Sequence, residues 1–321
     1  MQPTIEVREG GPSSKAKRFE RFMRIAIRPV FAYSPLTPSM LRLAGVFDLG
    51  AAVVMPAPPG TEIEPVSFGD FGGEWVRPPG AKEGRVILYL HGGGFFTCGL
   101  RTHRRLVARI AKRSHAVALS VGYRQLPKAP LSVSMADAFE AYRGLLAQGY
   151  APENIVIAGD SAGGFLAFTT ALTAAEQGLP VPSAIVALSP LTDLDHEARA
   201  SYPHTRSDAY IPAHRLGALK RLLLAGMEDA PSPAPVDRDL RALPPVFMMC
   251  GSEEALRHDA DLMVERLAEA GVPHRLQIWE GQIHVFQAFA GAVPEGHEAI
   301  DEIAAFIRTA TTAPSQEDAA A

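Results

Sequence analysis

Short apolar runs, each followed by a stretch with helical spacing, recur from about residue 85 to near the end of the chain. Val86-Ile87-Leu88-Tyr89-Leu90 precedes a helical pattern over 102–113, and the run 116–121 precedes another over 133–147. The run 155–158 leads into a helix over 162–176, and 184–188 is the next strand. Runs 246–250 and 275–279 come later, each again followed by a helix. A strand that is apolar at every position has both faces covered, so the alternation predicts a mostly parallel sheet with helices on both sides. Upstream, 64–68 and 73–76 read as a leading antiparallel hairpin. The expected fold class is α/β.

Two segments break the alternation. Residues 1–45 look helical around 19–31, with Lys15, Lys17, Arg18, Arg21, Arg24 and Arg28 among apolar residues. Such a pattern admits a membrane-surface helix. The preferred expectation is a helix packed over the body or its active site, without vesicle binding. The second break spans about 195–240, is rich in Pro and Ala, and holds one helical run over 213–225. Together they suggest a cap on a catalytic domain of residues 46–310, with a disordered tail over 311–321.

Composition narrows the class. Of the 321 residues, 47% are hydrophobic and 21% charged, as in an ordinary globular domain with ample core material. The formal charge of −4 suggests no nucleic-acid partner. Cys98 and Cys250 stand alone and read as free thiols in a reducing compartment. The first residues carry Glu and Gly where a signal peptide has an apolar run, and no stretch approaches ~18 consecutive apolar residues. A soluble, cytoplasmic protein without a membrane span is expected.

The chemistry concentrates in a few places. Gly159-Asp160-Ser161-Ala162-Gly163 lies between a strand and a helix, the context a nucleophile elbow requires. There a sharp turn lifts a serine hydroxyl off the sheet, and the following helix aims its N-terminal N–H groups at the same point. A serine that merely caps a helix would give the same five letters. His91-Gly92-Gly93-Gly94-Phe95 ends an earlier strand, where successive glycines let backbone N–H groups face a ligand. A phosphate loop is the other use of such glycines, but neither Gly-Lys-Ser/Thr nor Gly-x-Gly-x-x-Gly spacing is present. With an elbow downstream, the loop suits stabilisation of an oxyanion.

A serine hydroxyl needs a base, and the base needs an acid to hold it. In elbow enzymes the order along the chain is Ser, acid, His. Among ten histidines, His284 follows the last expected strand, whereas His297 falls inside a helix and His91 serves better to orient the glycine loop. The acid belongs after the strand 246–250, where Glu253, Glu254 and Asp259 are the candidates. Glu253 should project differently from its neighbour. Asp259 falls in the next helix, where a solvent-facing or capping role is expected.

These motifs together resemble the hormone-sensitive-lipase-like branch of the α/β-hydrolases, and further matches run from about Gly45 to Phe306. Tyr123-Arg124-Gln125-Leu126-Pro127, with Asp137 downstream, is similar to the family's Tyr-Arg-Leu-Ala-Pro-Glu segment. Ser189-Pro190-Leu191-Thr192-Asp193-Leu194 is similar to its Ser-Pro-Trp-x-Asp-Leu. Gln125, Lys128 and Leu191 depart from the usual residues and bear on pocket shape. Glu254-Ala255-Leu256 stands where many members have Asp-Pro-Leu, and a subset of the family uses glutamate there.

The resemblance implies an α/β-hydrolase fold with a helical cap and a serine carboxylesterase that forms an acyl-enzyme. It assigns Ser161 as nucleophile, His284 as base and Glu254 as acid. It gives the oxyanion to the backbone of Gly93, Gly94 and Ala162. Phe95, Phe96 and Phe165 are candidates for lining the substrate pocket, with ordinary core packing as the alternative. Short- to medium-chain esters, and lactones, are the expected small-molecule substrates. Neither a metal nor an organic cofactor is required, and a homodimer is a candidate assembly. An amidase or arylformamidase would use the same triad, and a small-molecule receptor on this fold is the non-enzymatic alternative.

Overall fold

The computed structural model describes residues 4–202, 208–227 and 230–312. One nine-stranded sheet organises them, in the order β1-β9-β8-β7-β6-β4-β5-β3-β2. Its strands are β1 (Thr4–Arg8), β2 (Glu62–Ser67), β3 (Gly72–Arg77), β4 (Lys82–Leu90), β5 (Ala116–Gly122), β6 (Ile155–Asp160), β7 (Ala184–Leu188), β8 (Val246–Gly251) and β9 (His274–Trp279). β3 alone runs against the others, pairing antiparallel with both β2 and β5. The central strands are buried throughout, which is why their sequences are continuous apolar runs.

Strand alternation divides the core between the two faces. Val86, Leu88 and Leu90 join the side covered by α5 (Leu131–Ala147), α6 (Ala162–Glu176) and α9 (Arg257–Glu269). Ile87 and Tyr89 point to the other side, under α4 (Leu100–Ser114) and α10 (Glu295–Ala310). The period of two within β4 thus feeds both cores from one strand.

Between β1 and β2 come α1 (Ser14–Phe22), a π-helical turn Met23–Ile27, α2 (Arg28–Tyr33) and α3 (Pro38–Val54). Between β7 and β8 lie α7 (His196–Ser201), a 3₁₀ turn Ala213–Arg215 and α8 (Leu216–Leu223). The two segments meet where Arg215 Nη2 donates to Ser34 O at 2.6 Å and the Phe31 and Tyr210 rings lie 6.4 Å apart.

The structure corrects the expected boundaries in three places. Residues 4–8 are not part of a helical cap; they add a parallel edge strand beside β9. There Glu6 pairs with Arg275, and Arg8 with Glu302, while Ile5 and Val7 face solvent. The N-terminal helices extend past residue 45, to Val54. The chain also remains ordered beyond Ala310: buried Thr311 accepts a hydrogen bond from Arg85 Nε at 2.6 Å. The rest of the expected tail, residues 313–321, lies outside the described residues. No described helix is long and apolar enough to cross a membrane.

Candidate active site

Every feature of the site sits at the carboxyl ends of the parallel strands, where open α/β sheets place their ligands. β6 ends at Asp160, Ser161 adopts φ +52° and ψ −117°, and α6 begins at Ala162. So sharp a reversal leaves no room for side chains beside it. A Cβ on Gly159 would fall 2.3 Å from Gly163 O, and one on Gly163 would fall 1.9 Å from Leu90 O. The amide of Ser161 is held by Leu188 O at 2.9 Å, so β7 fixes the turn from the side.

The glycine loop leaves the neighbouring strand, β4. Gly93 and Gly94 have φ of +119° and +61°, a region open to glycine with little strain. A Cβ on Gly93 would meet Thr97 O at 2.0 Å. The N–H groups of Gly93 and Gly94 have no partner among the described residues. Ala162, the first residue of α6, lies beyond the reach of its helix's own carbonyls. His91 lies flat on the Tyr123 ring at 4.3 Å, with Nδ1 2.7 Å from Gly92 O. Burial pulls its pKa down to about 4, leaving the ring neutral.

Asp160 joins the elbow to this loop. Fully buried, it accepts from Tyr89 Oη at 2.8 Å and Gly92 N at 3.1 Å, and pairs with His103 Nε2 at 3.2 Å. The residue beside Ser161 therefore ties the elbow to the start of the glycine loop. From the sequence alone Asp160 is assigned no role, although a carboxylate next to Ser161 is a visible signal.

β8 and β9 supply the remaining groups. Glu254 Oε2 lies 2.5 Å from His284 Nδ1, while its other oxygen accepts from Gly251 N at 2.6 Å and Ser189 Oγ at 3.0 Å. Burial opposes a charge on His284, but the hydrogen bond and negative charge of Glu254 outweigh it and raise the ring above its ordinary 6.5. Burial likewise raises Glu254, and the His284 N–H draws it back part of the way. No hydrogen bond joins Ser161 to His284 among the described residues.

The other two acid candidates point elsewhere. Glu253 Oε1 lies 3.4 Å from Ser252 Oγ. Asp259 is not solvent-facing: fully buried, it accepts from the amides of Thr192 and Asp193 and makes a two-pronged pair with Arg199 at 2.7 and 2.8 Å. It anchors α7 to α9, away from His284, because the first turn of α9 turns toward the loop after β7.

Three further contacts brace the site; Ser189 belongs to a motif matched in the sequence, whereas Tyr210 and Asp208 had no sequence signal of their own. Ser189, at φ +45°, donates to Glu254 and accepts from Val285 N at 3.0 Å, tying the acid loop to the histidine loop. Tyr210 Oη donates to His284 O at 2.6 Å. Buried Asp208 accepts from Ala255 N at 2.8 Å, next to Glu254. The latter two come from the segment between β7 and β8, so that segment braces the histidine and acid loops directly.

Of the aromatic candidates, Phe95 and Phe165 are fully buried and pack edge to face at 5.7 Å within the core. Phe96 is half-buried, and its ring would lie 2.9 Å from a Cβ on Gly94, with Leu219 of α8 at 3.6 Å from the same point. Arg124 and Asp137, matched from sequence, form a salt bridge at 2.7 Å.

The chain is similar to known esterases of the same fold. A family model described as alpha/beta hydrolase fold matches residues 87–288. Esterase LipU of Mycobacterium tuberculosis is 37% identical over 298 residues, 89% of this chain and 100% of the relative. Carboxylesterase/phospholipase LipF of the same species is 36% identical, covering 96% of this chain and 85% of the relative. A crystal structure of an esterase from the bacterial hormone-sensitive lipase family superposes with a TM-score of 0.82 at 33% identity, covering 92% of this chain and 98% of that one.

Proposed function

The chain belongs to the hormone-sensitive-lipase-like esterases of the α/β-hydrolase fold and is a carboxylic ester hydrolase, and on that premise we propose that it cleaves short- to medium-chain esters through an acyl-enzyme on Ser161. The observation that carries the reading is the buried Glu254–His284 pair at 2.5 Å, at the same sheet end as the Ser161 elbow. With Nδ1 given to Glu254, Nε2 is the ring nitrogen left to take a proton from Ser161.

Ser161 Oγ then attacks the ester carbonyl, and the oxyanion that forms is met by the N–H groups of Gly93, Gly94 and Ala162. As the tetrahedral species collapses, the proton on His284 passes to the departing alcohol. Water, deprotonated by the same nitrogen, attacks the acyl-serine, and the carboxylic acid leaves. Glu254 stays ionised throughout and stabilises the imidazolium. Phe96 and Leu219 border the acyl site, with Phe95 and Phe165 backing it from the core. Lactones fit the same chemistry, the released alcohol staying attached to the acyl group. A cytoplasmic location belongs to the same proposal and rests on Cys98 and Cys250, which are unpaired thiols.

A panel of p-nitrophenyl esters, lactones and p-nitroanilides tests the substrate class. Esters of short and medium acyl chains are expected to show kcat/KM orders of magnitude above the anilides. Preferential turnover of anilides or N-formyl arylamines would move the enzyme to the amidase reading. Lack of turnover on the whole panel would favour a receptor.

A further inference from the structure

The N-terminal helices bury only one side of themselves. Ala16, Met23, Ala32, Leu41 and Ala51 face inward. Outward, residues 22–49 carry nine of the eleven large hydrophobic side chains exposed among the described residues, including Phe22, Ile25, Tyr33, Leu43, Phe47 and Leu49. Scattered exposed apolar residues are normal on any surface, but crowding on three consecutive helices is not. The charge on the same stretch is as lopsided. Residues 11–50 hold seven Lys and Arg against two acidic residues, in a chain whose net charge is −4. Of those two acids, Glu20 pairs with Arg24 at 2.6 Å, and Asp48 is buried against the start of α4. Lys15, Lys17, Arg18, Arg21 and Arg42 are all exposed.

Against the expectation of helices without vesicle binding, we propose that α1 to α3 form a docking surface for an anionic lipid membrane, with the exposed apolar side chains entering the interface and the basic ones meeting the headgroups. A second copy of the chain suits this surface poorly. A two-fold contact would bring positive charge against positive charge across it. The same helices touch the catalytic machinery. Thr97, at the end of the glycine loop, donates to Ala44 O of α3 at 3.0 Å. Phe31 of α2 abuts Tyr210, which holds the His284 carbonyl. A membrane bound here lies against the wall of the site, and an ester dissolved in that membrane is delivered to it. The delivery rests on the esterase reading, whereas the docking does not.

The test is cosedimentation of the full chain with vesicles of phosphatidylcholine alone and of an equimolar phosphatidylcholine–phosphatidylglycerol mixture. Binding to the mixed vesicles is expected, weakening steeply with added salt. The triple change Lys17→Glu, Arg18→Glu, Arg21→Glu should lower partitioning by on the order of 100-fold. Phe22→Ser with Phe47→Ser should lower it by at least about tenfold. All these side chains are exposed, so melting temperature and turnover of a soluble ester serve as folding controls. Absent binding to anionic vesicles, or binding that both variants leave intact, overturns the proposal. So does a solution dimer that Phe22→Ser with Phe47→Ser dissociates, since that assigns the surface to a second copy. Vesicle binding by a parent chain that turns over no ester would instead count against the esterase reading.

Discussion

Ser161→Ala is expected to lower kcat by roughly 10⁶ on p-nitrophenyl butyrate while leaving the melting temperature near that of the parent. The size follows from chemistry: without the hydroxyl no acyl-enzyme forms, and only binding and the oxyanion donors remain. The intact fold follows from the backbone. Ser161 sits at φ +52°, where alanine meets the same steric penalty as serine because both carry one Cβ. Its hydroxyl makes no hydrogen bond among the described residues, so the change removes no structural contact. Steady-state kinetics with a thermal melt check both halves, and turnover within tenfold of the parent would remove Ser161 from the reaction.

The second large effect is expected at the acid. Glu254→Gln should lose on the order of 10²–10⁴ in kcat, because the amide keeps the size but not the charge that stabilises imidazolium. It should also move the pH profile. His284 acts as base only when neutral, so activity falls as pH drops through its pKa. Glu254 raises that pKa above 6.5, which places the acid limb of kcat/KM above pH 6.5 in the parent. Removing the negative charge lowers the pKa, so the limb of the residual activity shifts to lower pH. Asp259→Asn provides the contrast. It weakens the partner of Arg199, itself nearly fully buried, and breaking such a pair typically costs about 3–5 kcal/mol of stability. Its turnover below the lowered melting temperature should stay within about tenfold of the parent, ~1.4 kcal/mol in barrier. A large kinetic loss in Asp259→Asn beside a nearly normal Glu254→Gln would reverse the two roles.

What could be seen in the sequence was what the sheet centre dictates. Val86–Leu90, β6 and β7 are apolar at nearly every position because helices cover both faces. That pattern, with glycines that no larger residue can replace at the elbow, exposes the fold and the sharp turn that carries Ser161. β1 was hidden because its polarity runs the unexpected way. Glu6 and Arg8 face the protein through ion pairs while Ile5 and Val7 face water, so a search for buried apolar positions passes over it. The contacts of Asp208, Tyr210 and Ser189 were hidden for another reason, although Ser189 itself lies in a matched motif. Their partners lie 47, 74 and 65 residues away, and only the folded sheet brings those loops together. Asp259 shows the limit of local reasoning. A carboxylate in the first turn of a helix is ordinarily a favourable charge near the helix N-terminus. Here the loop after β7 supplies two amides and α7 a guanidinium, which turns a surface position into a buried anchor.

The central claim is that Ser161, activated through His284 and Glu254, carries the acyl group. The most direct measurement is the intact mass of the protein after a fluorophosphonate, followed by peptide mapping of the adduct. One equivalent of label is expected on the peptide holding Gly159 to Gly163, at Ser161, with labelling slowed in Glu254→Gln in parallel with its turnover. An active enzyme that takes up no label, or label on any other serine, would contradict the account.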